Sequence, residues 1–152
     1  MGLIFLITED DQATIGLFEL EALENAYSDY LVSYNFLTEI LLVDKEKIQS
    51  LNKEHRQIDE ATDVLSFPTF EEPLKIFVEE AKSTLLGTIV ICPEKALIYQ
   101  ETLAELVHHG ILHLLGFDHE TSPSQWLEVE GVLLTKLKNQ DLIIKGIPHE
   151  HF

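Results

Sequence analysis

Residues 94–115 constrain the fold more than any other stretch. Ala96, Leu97, Tyr99, Leu103, Leu106, Ile111, Leu112, Leu114 and Leu115 recur there at helical spacing. The later part is apolar on nearly every side, so this helix belongs at the centre of the molecule. His109 and His113 lie four residues apart within it, which places both imidazoles on one helix face, one turn apart. Polar rings are costly to bury unless each nitrogen is hydrogen-bonded or bound to a metal. Gly116 then offers the left-handed backbone conformation that commonly ends a helix. The turn it permits can swing His119 back towards the helical pair. Three imidazoles converging on one point, with a fourth position open, have the form of a catalytic zinc site.

The spacing His-x-x-x-His-x-x-Gly-x-x-His is also that of the metzincin peptidases. Their general base is a glutamate that falls at residue 110, and residue 110 is glycine. Their methionine turn is absent too, because Met1 is the only methionine. The ligand set survives without the peptidase base, so a metallopeptidase is the weakest reading. Imidazole ligands suit zinc, although nickel, copper or iron accept the same donors.

Around this helix the chain alternates strand and helix signals. Residues 3–7 form an apolar strand candidate, and residues 11–33 show helical spacing, with Asp10 or Asp11 as N-cap. Residues 34–43 form a second strand, after which Asp44 opens a helix. A polar loop leads to a short strand, Val64–Phe67, stopped by Pro68. An acidic connection follows, and then a strand at 85–91. The last two strands suit an antiparallel pair with a long loop. Ser122-Pro123 begins a last helix through Trp126, Val129, Val132, Leu133 and Leu137. No repeat or linker divides the chain, so one domain over 1–152 is expected.

Charge narrows the function classes. Against 27 carboxylates stand 10 lysines plus arginine, a formal net charge of −17. That excludes a broad basic surface for nucleic acid but leaves room for a local cationic pocket. No stretch approaches the run of about 20 apolar residues that spans a bilayer. The one cysteine, Cys92, has no internal disulfide partner. It reads as a small buried hydrophobe in a reducing cytoplasm.

Two stretches together resemble the YbeY family of bacterial ribosomal-RNA maturation factors. They are Leu51-Asn52, Arg56, Asp59 and Thr62 through Pro68, followed by His109 through His119. The Leu-Gly-x-Ile-Val-Ile strand at 86–91 stands between them in the expected order. The resemblance covers roughly residues 44–135 and implies an α+β fold. That fold is a small, mostly parallel mixed sheet with one antiparallel strand, helices packed on it and a metzincin-like metal helix. It further implies a metal-dependent, single-strand-specific endoribonuclease acting in 3′-end maturation of small-subunit ribosomal RNA and in ribosome quality control. His109, His113 and His119 would be the ligands of one Zn2+, and Arg56 matches the family's functional arginine. Three positions depart from the pattern: His55 for Tyr or Phe, Ala61 for Pro, and Thr88 for an aspartate. The segment before the metal helix is also several residues short, enough to merge two helices into one or to narrow the cleft wall.

Phosphodiester cleavage needs cationic stabilisation of the phosphoryl oxygens. Arg56 is the sole arginine, and a guanidinium grips phosphate through two bonds where lysine offers a point charge. Catalysis is therefore assigned to Arg56 and to the metal-holding His113. Asp118, beside a ligand, and Glu105, one turn before His109, are the candidate general bases. His108 points about 100° away from His109 and reads as a packing or surface residue; His149 and His151 belong to a polar tail. The expected partners are single-stranded or ribosomal RNA and the ribosome or its proteins, with no membrane. The competing reading is a ribosome-associated assembly factor whose metal is structural, favoured by the acidic charge.

Overall fold

The computed structural model describes residues 2–9, 17–75, 83–117 and 123–138. Four strands form one sheet: β1 (Gly2–Glu9), β2 (Asn35–Leu42), β3 (Val64–Pro68) and β4 (Thr84–Ile91), in spatial order β1-β2-β4-β3. β1 pairs parallel with β2, and β2 parallel with β4. β3 runs antiparallel to β4, with Val64 opposite Ile91 and Pro68 opposite Gly87. The expected mixed sheet with a single antiparallel strand is therefore the observed one.

Among the described residues there are five α-helices: α1 (Leu17–Tyr30), α2 (Lys45–Arg56), α3 (Pro93–Ile98), α4 (Leu103–Leu114) and α5 (Pro123–Lys138). One sheet face is covered by α1 and α4, and α5 packs on α1. Leu20, Leu23 and Tyr27 of α1 meet Leu106, Val107 and Ile111 of α4 there, together with Trp126 and Leu133 of α5. The other face is covered by α2, whose Ile48 packs with Val43, Leu65, Val90 and Cys92. Cys92 is buried, as its sequence context suggests. α1 also shields the exposed edge of β1. Ser28 Oγ accepts from Leu3 N–H at 3.1 Å, and Glu24 Oε2 accepts from Phe5 N–H at 2.6 Å. These bonds satisfy donors that would otherwise invite another strand.

Local chemistry sets the helix limits. Asp44 caps α2 by accepting from Lys47 N–H at 2.8 Å. The single helix expected over 94–115 is two helices. Thr102 and Glu105 form a reciprocal capping box that starts α4 afresh, and Gln100 before it has a left-handed backbone at φ 58°. The shortened segment therefore leaves α3 with six residues and does not merge it with α4. The N-cap proposed at Asp10 or Asp11 lies outside the described residues.

Candidate metal centre

α4 is held tightly at both ends. At its start, Thr102 Oγ1 accepts from Glu105 N–H at 3.1 Å, and Glu105 Oε1 accepts from Thr102 N–H at 2.9 Å. At its end, Gly116 N–H donates to His113 O at 3.0 Å and Phe117 N–H donates to Leu112 O at 3.0 Å. That is the pairing of a Schellman motif, and it needs the positive φ of 93° found at Gly116. The helix stop read from this glycine is the observed one.

Midway along α4 the backbone lies flush on the sheet. A Cβ on Gly110 would stand 2.9 Å from Ile89 Cδ1 and 3.1 Å from both of its γ carbons. A peptidase-type glutamate at this position would have to displace the Ile89 side chain of β4. Glycine at position 110 is therefore a packing requirement of this helix–sheet contact.

On an adjoining side of α4, the two histidines face each other. His109 Nε2 and His113 Nε2 are 2.9 Å apart, with ring centroids separated by 4.7 Å and planes inclined at 63°. His109 is 3% exposed and His113 is half-buried. Two nitrogens bound at 2.0–2.1 Å to one tetrahedral ion stand about 3.3 Å apart. The pair needs only a few tenths of an ångström of opening to share such an ion, so its donor chemistry and spacing fit zinc. Among the described residues no three His, Cys, Asp or Glu side chains form a metal-holding group. His119 and Asp118 lie outside those residues.

His108, the neighbour, points about 100° around the helix from His109, as its helical position requires. Its Nδ1 is 2.9 Å from Tyr27 Oη, and Tyr27 Oη also donates to the His108 carbonyl at 3.2 Å. His108 Nε2 stands 3.8 Å from Glu130 Oε2 on α5. Burial lowers its pKa to about 4, so the ring is neutral and belongs to the core.

Glu105 must be reassigned. Its carboxylate serves as half of the capping box, and the side chain is buried; it is a helix cap rather than a candidate base. Arg56 ends α2 and is exposed. Among the described residues it has no ion-pair partner, so its guanidinium remains available to an anion. Its backbone is fixed by its surroundings. Gln57 turns left-handed at φ 59°. Buried Asn52 accepts from Ile58 N–H through its carbonyl at 3.3 Å and donates from Nδ2 to Glu60 O at 2.9 Å. Next door, the His55 ring meets Phe67 of β3 at 4.9 Å between centroids. Asp63 anchors the start of β3: its Oδ1 accepts from Val64 N–H at 2.8 Å, and its carbonyl accepts from Cys92 N–H at 2.8 Å. Leu-Asn and Thr-Asp in the sequence thus mark supports of the Arg56 loop.

Thr88, where an aspartate was expected, donates to Glu39 Oε2 at 3.2 Å. Glu39 is its direct partner on β2, so a carboxylate does stand at this spot, supplied by the adjacent strand. A cleft of about 560 Å3 is lined by Lys45, Gln49, Asp59 and Lys95 among others, and shares no lining residue with the histidine pair. The chemistry of the imidazoles, rather than cleft volume, selects the site. α5 adds Trp126, whose place against the histidines had no signal in the sequence beyond its apolar helical spacing.

Comparisons with known proteins agree with this architecture. A family model described as Endoribonuclease YbeY matches residues 8–132. A protein of Sulfurimonas denitrificans named Endoribonuclease YbeY is 36% identical over 150 residues, covering 93% of this chain and 99% of that protein. One of the same name from Sulfurovum sp. is 40% identical over 138 residues, covering 85% and 88%. The solution structure of TM1509 from Thermotoga maritima matches with a TM-score of 0.51 at 25% identity, over 90% of this chain and 91% of that one. No described helix is long and apolar enough to cross a membrane. With the family model spanning most of the chain and relatives matched over nearly their full length, the chain belongs to the YbeY endoribonuclease family.

Proposed function

We propose that the protein is a zinc-dependent, single-strand-specific endoribonuclease that matures the 3′ end of small-subunit ribosomal RNA and serves ribosome quality control in the cytoplasm. One hydrolase domain over 1–152 carries the activity. The observation that carries the reading is the facing pair of Nε2 atoms at 2.9 Å on a buried helix. Imidazoles brought this close, on a helix followed by a glycine turn and a third histidine, are a donor set for a metal. His109 and His113 hold the ion, with His119 as the third ligand. Zinc bound there supplies Lewis acidity to a phosphoryl group and lowers the pKa of water.

The remaining chemistry belongs to the chain. Arg56 binds the scissile phosphate through its two-pronged donor set and offsets charge on the equatorial oxygens. In a chain of net charge −17, that single fork supplies the local attraction RNA needs against the general field. Asp118 is the remaining candidate base, since Glu105 caps the helix. The test is cleavage of single-stranded RNA by zinc-loaded protein beside a chelated sample and His113→Ala. Cleavage lost in both controls supports the reading. Equal cleavage in all three overturns it. The acidic charge favours a second reading, a ribosome-associated assembly factor with a structural metal, and zinc binding without RNA cleavage would favour that one.

A further inference from the structure

Trp126 is the only tryptophan in the chain and is 1% exposed. Its ring lies 4.9 Å from the His109 ring and 5.2 Å from the His113 ring, inclined at 57° to each. With 4.7 Å between the two imidazoles, the three rings form a closed triangle. Two of its corners lie on α4 and the third on α5. α5 is itself fixed by Val129 and Leu133, buried on the same helix face as Trp126, and by Glu130 beside His108.

This arrangement acts on the weakest part of a histidine pair. The χ2 torsion of histidine is broad, so an imidazole turns readily about its last bond. Two rings on one helix point their Nε2 atoms at a common place only if something prevents that rotation. A flat, rigid indole against both rings removes the alternative orientations. We propose that Trp126 is a positioning residue of the metal centre, holding His109 and His113 in their convergent orientation across the α4–α5 interface. The inference rests on the reading of His109 and His113 as ligands. It adds that α5, through a residue that donates nothing to the ion, sets the affinity of the site.

The test combines zinc affinity with the emission of Trp126. Affinity is measured by competition with a chromophoric chelator for wild type, Trp126→Phe, Trp126→Leu and His113→Ala. Outer-shell partners that orient metal ligands through hydrogen bonds change affinity by about 10–100-fold when lost, and a packing partner doing the same task is expected at the lower end of that range. Trp126→Leu, which stays apolar but is smaller and loses the flat face, should weaken zinc binding by about 10-fold. Trp126→Phe, which keeps a flat ring, should recover most of that loss. Wild-type emission should change on zinc addition and saturate at the affinity the chelator reports, and His113→Ala should abolish the change. A merely structural tryptophan would leave zinc affinity in folded Trp126→Leu equal to wild type, which overturns the proposal; the emission change reports only that zinc binds beside Trp126. Wild type that binds no zinc in the chelator assay overturns the ligand reading as well. Should Trp126→Leu fail to fold, Trp126→Met, flexible and without a flat face, takes its place under the same criterion: zinc affinity at least about 10-fold below wild type supports the proposal, and affinity equal to wild type overturns it.

Discussion

Gly110→Ala isolates the contact that makes α4 a sheet-bound helix. By helix propensity alone, alanine should stabilise an interior helical position by about 0.5–1 kcal/mol relative to glycine. Here the added carbon meets Ile89 Cδ1 at 2.9 Å and both γ carbons at 3.1 Å, closer than carbon atoms pack in native cores. Overpacking of that kind costs about 1–3 kcal/mol, so sterics win over propensity by about 1–2 kcal/mol net. For a chain of this length the melting temperature should fall by about 2–8 °C. Ile89→Val deletes the nearest methyl and on its own costs about 0.5–1.5 kcal/mol. Combined with Gly110→Ala, it should cost less than the sum of the two, with a coupling of at least about 0.5 kcal/mol. Urea unfolding of the four proteins measures the cycle. A Gly110→Ala protein more stable than wild type, with additive double-mutant energies, would falsify the packing explanation for the missing peptidase glutamate.

Three further outcomes follow from the geometry. His108 has its pKa lowered to about 4 by burial, so the unfolded state binds more protons between about pH 4 and 6.5. Its contribution is complete above pH 6.5 and falls with pH, reaching about 3 kcal/mol of lost stability near pH 4; a urea midpoint with the same pH dependence from about 7 to 4.5 in His108→Phe as in wild type would contradict this. Glu101 is displaced the opposite way, pushed up to about 8 by burial first, and then by the Asp63 carboxyl beside it and the charge of Glu105. Its contribution is therefore present below pH 4.5 and declines as pH rises to about 8, and Glu101→Gln should flatten that decline in thermal melts; an unchanged profile would remove the pair from the account. Arg56→Lys should keep zinc binding at the wild-type level and lose RNA cleavage by about 10-fold or more, because lysine lacks the two-pronged grip; equal cleavage by single-turnover kinetics would deny Arg56 its phosphate role.

The parts legible in the sequence are those whose cause is local. Asp44 announces its helix because an aspartate before an amphipathic run can take up a free N–H group. Gly116 announces the end of α4 because only glycine adopts its backbone conformation without strain. Val64–Phe67 and 85–91 read as an antiparallel pair, and β3 and β4 are one. Thr102-x-x-Glu105 is equally local: residues whose apolar spacing looks like one continuous helix contain a capping box that divides it. Glu105 stands one turn before His109, but its carboxylate is bonded to the Thr102 backbone. What the sequence could not give are contacts between distant segments. Trp126 against His109 and His113, Tyr27 against His108 over 81 residues, and Glu39 beside Thr88 all depend on how helices and strands stack. No periodicity encodes those neighbours.

The measurement closest to the central claim is a crystal structure of the zinc-loaded protein with anomalous diffraction at the zinc edge. The account predicts one zinc per chain, bound by His109, His113 and His119, with the fourth position held by solvent. A fourth protein ligand would contradict catalysis and support a structural metal, and zinc bound anywhere other than between His109 and His113 would contradict the site itself.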